Sequence, residues 1–182
     1  MKTWTFPLLI VIISALVGCT PSVEVTPTPS EPETSVIVTP TPAWTEDEQG
    51  AVDAVQRFLE MWSYIGQNIL EADWMDILQV AVPPESELNQ ETWTNWLTQG
   101  WHLEGSPIFI VSRVEIGVLN SSGQWYYVHG CYVIEESYIS DKDGKSVGDE
   151  GRQERGLGYY KVFRVESGAY YVGESHSVEG TC

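Results

Sequence analysis

The sequence predicts an α+β fold in which N-terminal helices pack on one face of a curved antiparallel β-sheet. Three observations predict it. Apolar residues recur every three or four positions as far as Trp96-Leu97, the period shortens to two after Pro107, and turn residues then divide the rest of the chain into consecutive strands. Helices followed by a strand meander is the order of an α+β domain, because a parallel sheet would need helices between its strands.

The first helix opens on a capping box, Thr45 with Glu48 three residues later. Glu46 and Asp47 favour the positive end of its dipole. Ala51, Val52, Val55, Phe58, Leu59, Trp62 and Ile65 follow at helical spacing and give about 20 residues one apolar face. A second helical stretch is expected over 72–81, with Trp74, Ile77, Leu78 and Ala81, and Pro83-Pro84 stops it. A third is expected over 89–99, with Trp93, Trp96 and Leu97, and Gly100 ends it.

Beyond Pro107, Ile108, Ile110, Val114, Ile116 and Val118 alternate with Phe109, Val111, Arg113 and Glu115, and Ser112 interrupts the apolar set. Asn120-Ser121-Ser122-Gly123 reads as a turn. A long strand rich in tyrosine and β-branched residues is expected over 124–136. Strands at 138–140 and 145–147 flank Asp141-Lys142-Asp143-Gly144, a tight hairpin. A polar loop spans 148–156, and two last strands, 157–166 and 169–176, join at Ser167-Gly168.

Ahead of this domain, Lys2 precedes an apolar run over 6–17 that ends at Leu16-Val17-Gly18-Cys19. A basic start, a short apolar core and small residues at its end form a secretory signal. A core of about a dozen residues is too short to span roughly 30 Å of hydrocarbon. With cysteine at the cleavage point, the motif resembles the lipobox of bacterial lipoproteins. The resemblance implies diacylglyceryl transfer to the Cys19 sulfur, cleavage before Cys19 (removing 1–18) and acylation of its new amino group. Two or three chains in one leaflet anchor a protein stably where one does so only marginally. The implied location is the outer side of the cell membrane, with the bilayer as a partner. From 19 to 43 the chain is a Thr/Pro-rich linker holding Thr26-Pro27-Thr28-Pro29 and Thr39-Pro40-Thr41-Pro42. Proline removes donors and disfavours helix in the residue before it, so this segment reads as a disordered or polyproline stalk. At roughly 3.1 Å per residue it reaches about 75 Å.

The chain carries a formal charge of −17. Loss of Lys2 with the signal takes the mature protein to about −18, a surface that repels nucleic acid and anionic head groups. Of three cysteines, the lipobox claims Cys19. Cys131 and Cys182 remain, an even pair in an oxidising compartment, and are expected to form a disulfide. The rival reading, a thiol nucleophile or metal ligand, lacks a CxxC motif.

Residues 44–182 resemble the NTF2-like (cystatin-like, cone-shaped) α+β fold, and more narrowly a group of small bacterial lipoproteins and secreted proteins that carry it. Val128-His129-Gly130-Cys131-Tyr132, the hairpin 141–145 and the terminal Gly180-Thr181-Cys182 bear the likeness. All three motifs are structural. The cone of such a fold implies an interior pocket, and Trp62, Tyr127, His129 and Tyr160 are the residues expected to line it. His129 is the weak catalytic candidate, since histidine titrates near neutral pH. Glu135 stands six residues away, about 20 Å along a strand, so the two cannot form a dyad.

The three histidines show no metal spacing, and Asp141-Lys142-Asp143-Gly144 has glycine at the fourth position where a calcium loop needs it at the sixth. No nucleophile elbow or phosphate-cradling loop is present. No cofactor or metal is therefore expected. The leading functional expectation is a non-enzymatic module binding a small molecule or an envelope protein. The alternative is a small isomerase or hydrolase with His129 as general base. A third is a homodimer formed across an open sheet face.

Overall fold

The computed structural model describes residues 43–117, 123–148 and 154–182. The signal, the lipobox, the Thr/Pro stalk and most of the 120–123 turn lie outside them. Helix α1 spans Glu46–Gln67, a 3₁₀ helix spans Trp74–Gln79, and α2 spans Glu85–Gln99. The strands are β1 (His102–Glu104), β2 (Ile108–Ile116), β3 (Gln124–Val133), β4 (Tyr138–Ser140), β5 (Arg155–Arg164) and β6 (Tyr170–Val178). A four-stranded antiparallel sheet runs β2-β3-β5-β6, and a two-stranded sheet pairs β1 with β4. Helices pack against antiparallel sheets that do not close into a barrel.

The α1 capping box forms as expected, with the Thr45 amide donating to Glu48 at 2.8 Å and the Glu48 amide to Thr45 at 3.3 Å. The stretch expected as a second helix is a six-residue 3₁₀ turn capped by Asp73. Just beyond it the Val82 amide donates to the Val172 carbonyl and the Val172 amide donates to the Val80 carbonyl, each at 2.9 Å, and that pairing to β6 ends the helix before Pro83. The third helix starts four residues earlier than expected, at Glu85, and closes as expected on Gly100, whose φ of 70° is left-handed. Strand β1 was not foreseen; it is three residues long and exists through its pairing with β4.

Ser112 is a β-bulge. Val111 pairs with Gly130 and Arg113 with His129, so the face presented by β2 switches at this point. The apolar set expected on one face is thereby split. Phe109, Val111 and Val114 pack against the core, while Ile108 and Ile110 share the opposite face with Arg113 and Glu115.

The core lies between α1, α2 and one face of the large sheet. Val55, Phe58, Ile65, Trp93, Tyr126, Val128, Tyr160, Val162 and Val172 are buried there. At the hairpin tip Asp141 accepts from the amides of Asp143 (2.9 Å) and Lys145 (3.0 Å). Those two bonds hold its carboxyl below the usual range and make it a turn residue.

Candidate functional site

Side chains alternate along a strand, so the parity of each position decides what it can reach. In β3 the even positions Tyr126, Val128 and Gly130 are buried against the helices. Tyr160 pairs with Val128 and shares that face. Tyr127 and His129 sit on the other face, across the sheet from the pocket they were expected to line. The expectation of one shared pocket for Tyr127, His129 and Tyr160 is corrected by this register. The reading of His129 as a base inside the cone loses its geometry with it.

On the outer face His129 stands 3.3 Å from Glu115 Oε2, near enough for an ion pair although its Nε2 makes no aligned hydrogen bond. Tyr159 stacks on His176 at 4.7 Å between ring centroids and lies beside Tyr127 and His129. Lys161 reaches over the Trp125 ring and donates to Glu174 at 2.7 Å. Lys161 first, and His176 second, hold the Glu174 carboxyl below its ordinary value. The Cys131–Cys182 disulfide forms on this side of β3, with a Cα separation of 5.9 Å.

The other two expected pocket residues do meet. Trp62 of α1 and Tyr160 of β5 line a cavity of about 330 Å³ between α1, α2 and the concave sheet face, together with Tyr132, Glu85, Asn89 and Ser175. The α1 periodicity aims Phe58, Leu59 and Trp62 into it. The α2 start brings Glu85 and, one turn on, Asn89.

Glu85 is the unexpected member. It is 5% exposed. Its Oε1 accepts from Asn89 Nδ2 and Ser175 Oγ, each at 3.0 Å, and its Oε2 accepts from the Ser175 amide at 2.9 Å. Its place in the first turn of α2 adds the favourable end of the helix dipole. Among the described residues no lysine, arginine or histidine forms an ion pair with it.

The tyrosines respond to this surrounding. Burial pushes the Tyr132 hydroxyl up to about 12, the contact with Tyr160 opposes it, and the Glu85 charge adds to it. Burial raises Tyr160 well above its ordinary value, with Tyr132 and Glu85 contributing. Both rings are therefore neutral across the physiological range. The cavity thus offers neutral aromatic rings and a deep carboxylate that is acceptor-only.

Three larger cavities lie elsewhere in the domain. The one below the small sheet, about 410 Å³ and also lined by Trp62, holds no charged side chain. His102 borders another and is engaged by Glu104 at 2.9 Å and by Ser140. Among the described residues no group of three or more His, Cys, Asp or Glu could hold a metal ion, and no helix is long and apolar enough to cross a membrane.

These features define an α+β domain in which, among the described residues, the helices pack against one face of the four-stranded sheet. A solved structure similar to it is the intermembrane space region of the chloroplast protein ARC6. The TM-score is 0.50 at 12% identity, with 76% of this chain and all of that chain covered. At that identity the likeness carries the fold alone. No family model matches the sequence, and no curated protein matches it.

Proposed function

We propose that this chain is an extracytoplasmic bacterial lipoprotein, acylated at Cys19, whose NTF2-like domain (44–182) is a non-enzymatic ligand-binding module. Leu16-Val17-Gly18-Cys19 after an apolar run supports the anchor, and the Thr/Pro segment suits a spacer that holds an acidic domain clear of the bilayer. The observation that carries the binding role is the buried Glu85 in the lining of a cavity it shares with Phe58, Trp62, Tyr132 and Tyr160. Ligand sites are concave and largely apolar, with a few converging polar groups, and this cavity fits that description. Binding is preferred to turnover because three donors fix Glu85 in place and, among the described residues, the cavity lining beside it holds no histidine, cysteine or lysine.

Two experiments test the two parts. Cys19→Ala should move the protein from the membrane to the soluble fraction; continued membrane retention with lipid label would overturn the anchor. In a thermal-shift screen of small molecules, the binding role requires compounds that raise Tm for the native chain and do so less for the variant Tyr132→Leu, since Tyr132 lines this cavity. A screen in which no hit depends on Tyr132 would defeat it.

A second reading is favoured by the outer sheet face, the side of β3 away from the buried Tyr126 and Val128, where Trp125 pairs with Phe163 and Tyr127 with Tyr159. A second copy of the chain, presenting the same rings, would cover that face as a homodimer. Sedimentation at micromolar concentration distinguishes monomer from dimer.

A further inference from the structure

Resting on the reading of the Glu85 cavity as a ligand site, we infer that its ligand is a small organic cation carrying an alkylammonium group. A buried carboxylate without a cationic partner is costly, because the desolvation of the ion is not repaid by an opposite charge. Glu85 is in that position: 5% exposed, hydrogen-bonded only to neutral donors, and free of any ion pair among the described residues. A carboxylate has about four acceptor sites, and three are used here, so one remains on Oε2 for an N⁺–H donor.

The walls suit the same ligand. Trp62, Tyr132 and Tyr160 present ring surfaces in the cavity, and aromatic faces attract a cation within about 6 Å of the ring centre. Both tyrosines stay protonated at neutral pH, which leaves the Glu85 carboxylate as the acceptor that faces a cation. Phe58, Leu59 and Leu88 supply apolar surface for an alkyl tail. A volume of about 330 Å³ is at the small end for ligand pockets, so the occupant is a small molecule. The net charge of −17 raises the local concentration of cations around the opening. An anionic ligand would meet Glu85 with no cation to offset it, and a neutral one would leave its charge uncompensated.

The test uses the full chain in detergent, with n-butylammonium and the neutral n-pentanol, which carries one more methylene and so gains more from apolar burial, as probes. NMR reads the Ser175 amide, which donates to Glu85, and the Trp62 indole. The expected result is saturable shifts of both signals by butylammonium, with pentanol binding at least about tenfold more weakly. Glu85→Gln should abolish that preference. Pentanol binding as tightly as butylammonium, or Glu85→Gln retaining the preference, overturns the cation while leaving the cavity a ligand site. Silence from both probes overturns the cavity reading and the cation together. The comparison of probes on the native protein decides the matter even where Glu85→Gln fails to fold.

Discussion

The Ser175 amide donates to the Glu85 carboxylate at 2.9 Å across 90 residues of sequence. One bond thereby joins the first turn of α2 to the edge strand β6 and fixes the back wall of the cavity. Glu85→Ala removes the acceptor for the Ser175 amide and the Ser175 hydroxyl at once, while Asn89 Nδ2 keeps its bond to the Glu85 backbone carbonyl at 2.7 Å. Buried donors left unsatisfied cost about 1–3 kcal/mol each before relaxation, so a net loss of about 2–3 kcal/mol is expected. Glu85→Gln keeps an acceptor oxygen and should lose about half of that. Urea unfolding with an unchanged m-value checks both, and equal stability of Glu85→Ala and the native chain would show that the bond does not hold α2 to the sheet.

Gly158 makes the cavity's aromatic wall fit. A Cβ at this position would collide with the Tyr132 ring and the His176 carbonyl. Gly130 performs the same service for the Phe109 ring. Glycine in mid-strand weakens a sheet unless another group needs the space, and here two aromatic rings lie across the missing side chains. Gly158→Ala should therefore displace Tyr132 from the cavity and destabilise the fold by about 1–3 kcal/mol through overpacking. Near-ultraviolet circular dichroism reports the moved rings and urea unfolding the loss.

The Cys131–Cys182 bridge, spanning a sequence separation of 51, ties the last residue to a central strand. The tail it holds crosses β5, where the Leu157 amide points at the Gly180 carbonyl. In the chain-entropy model a loop of this size contributes roughly 4 kcal/mol. Cys182→Ser should lower stability by up to that amount, and dithiothreitol should lower the native protein by the same amount while leaving the variant unchanged. A variant as stable as the oxidised parent would make the bridge thermodynamically idle.

The sequence disclosed the elements more readily than the faces. Helix α1 was legible to its cap because Thr45, Glu48 and the apolar spacing act within a few residues. The disulfide was legible because only two cysteines remained once Cys19 was assigned. The parity of β3 was not: Trp125, Tyr127 and Cys131 on one face are as apolar as Tyr126, Val128 and Tyr132 on the other. Periodicity therefore carried no preference for the buried side. His129 drew attention by its chemistry and belonged to the outer face. Glu85 was invisible for the opposite reason. An acidic residue in a first helical turn reads as a dipole partner facing water, and its burial arises from Ser175, which no local pattern connects to it.

Alkaline pH offers a test of the cavity's electrostatics. Burial holds the Tyr132 hydroxyl at about 12 against an ordinary 10.0, and burial with Asp47 does the same for Tyr170. A group whose folded pKa lies above its unfolded value stabilises the fold fully below the unfolded value. It loses that contribution as pH rises through the folded one. The native protein should thus lose urea stability between about pH 10 and pH 12, beyond any change seen below that window. Tyr132→Phe keeps the ring and has no proton to lose, so its decline over the window should be shallower. Glu85→Gln should flatten it less, because burial outweighs the carboxylate as the cause of the Tyr132 shift. A Tyr132→Phe profile parallel to the native one would mean that this hydroxyl is hydrated in solution, and that the cavity wall is open to water where the packing closes it.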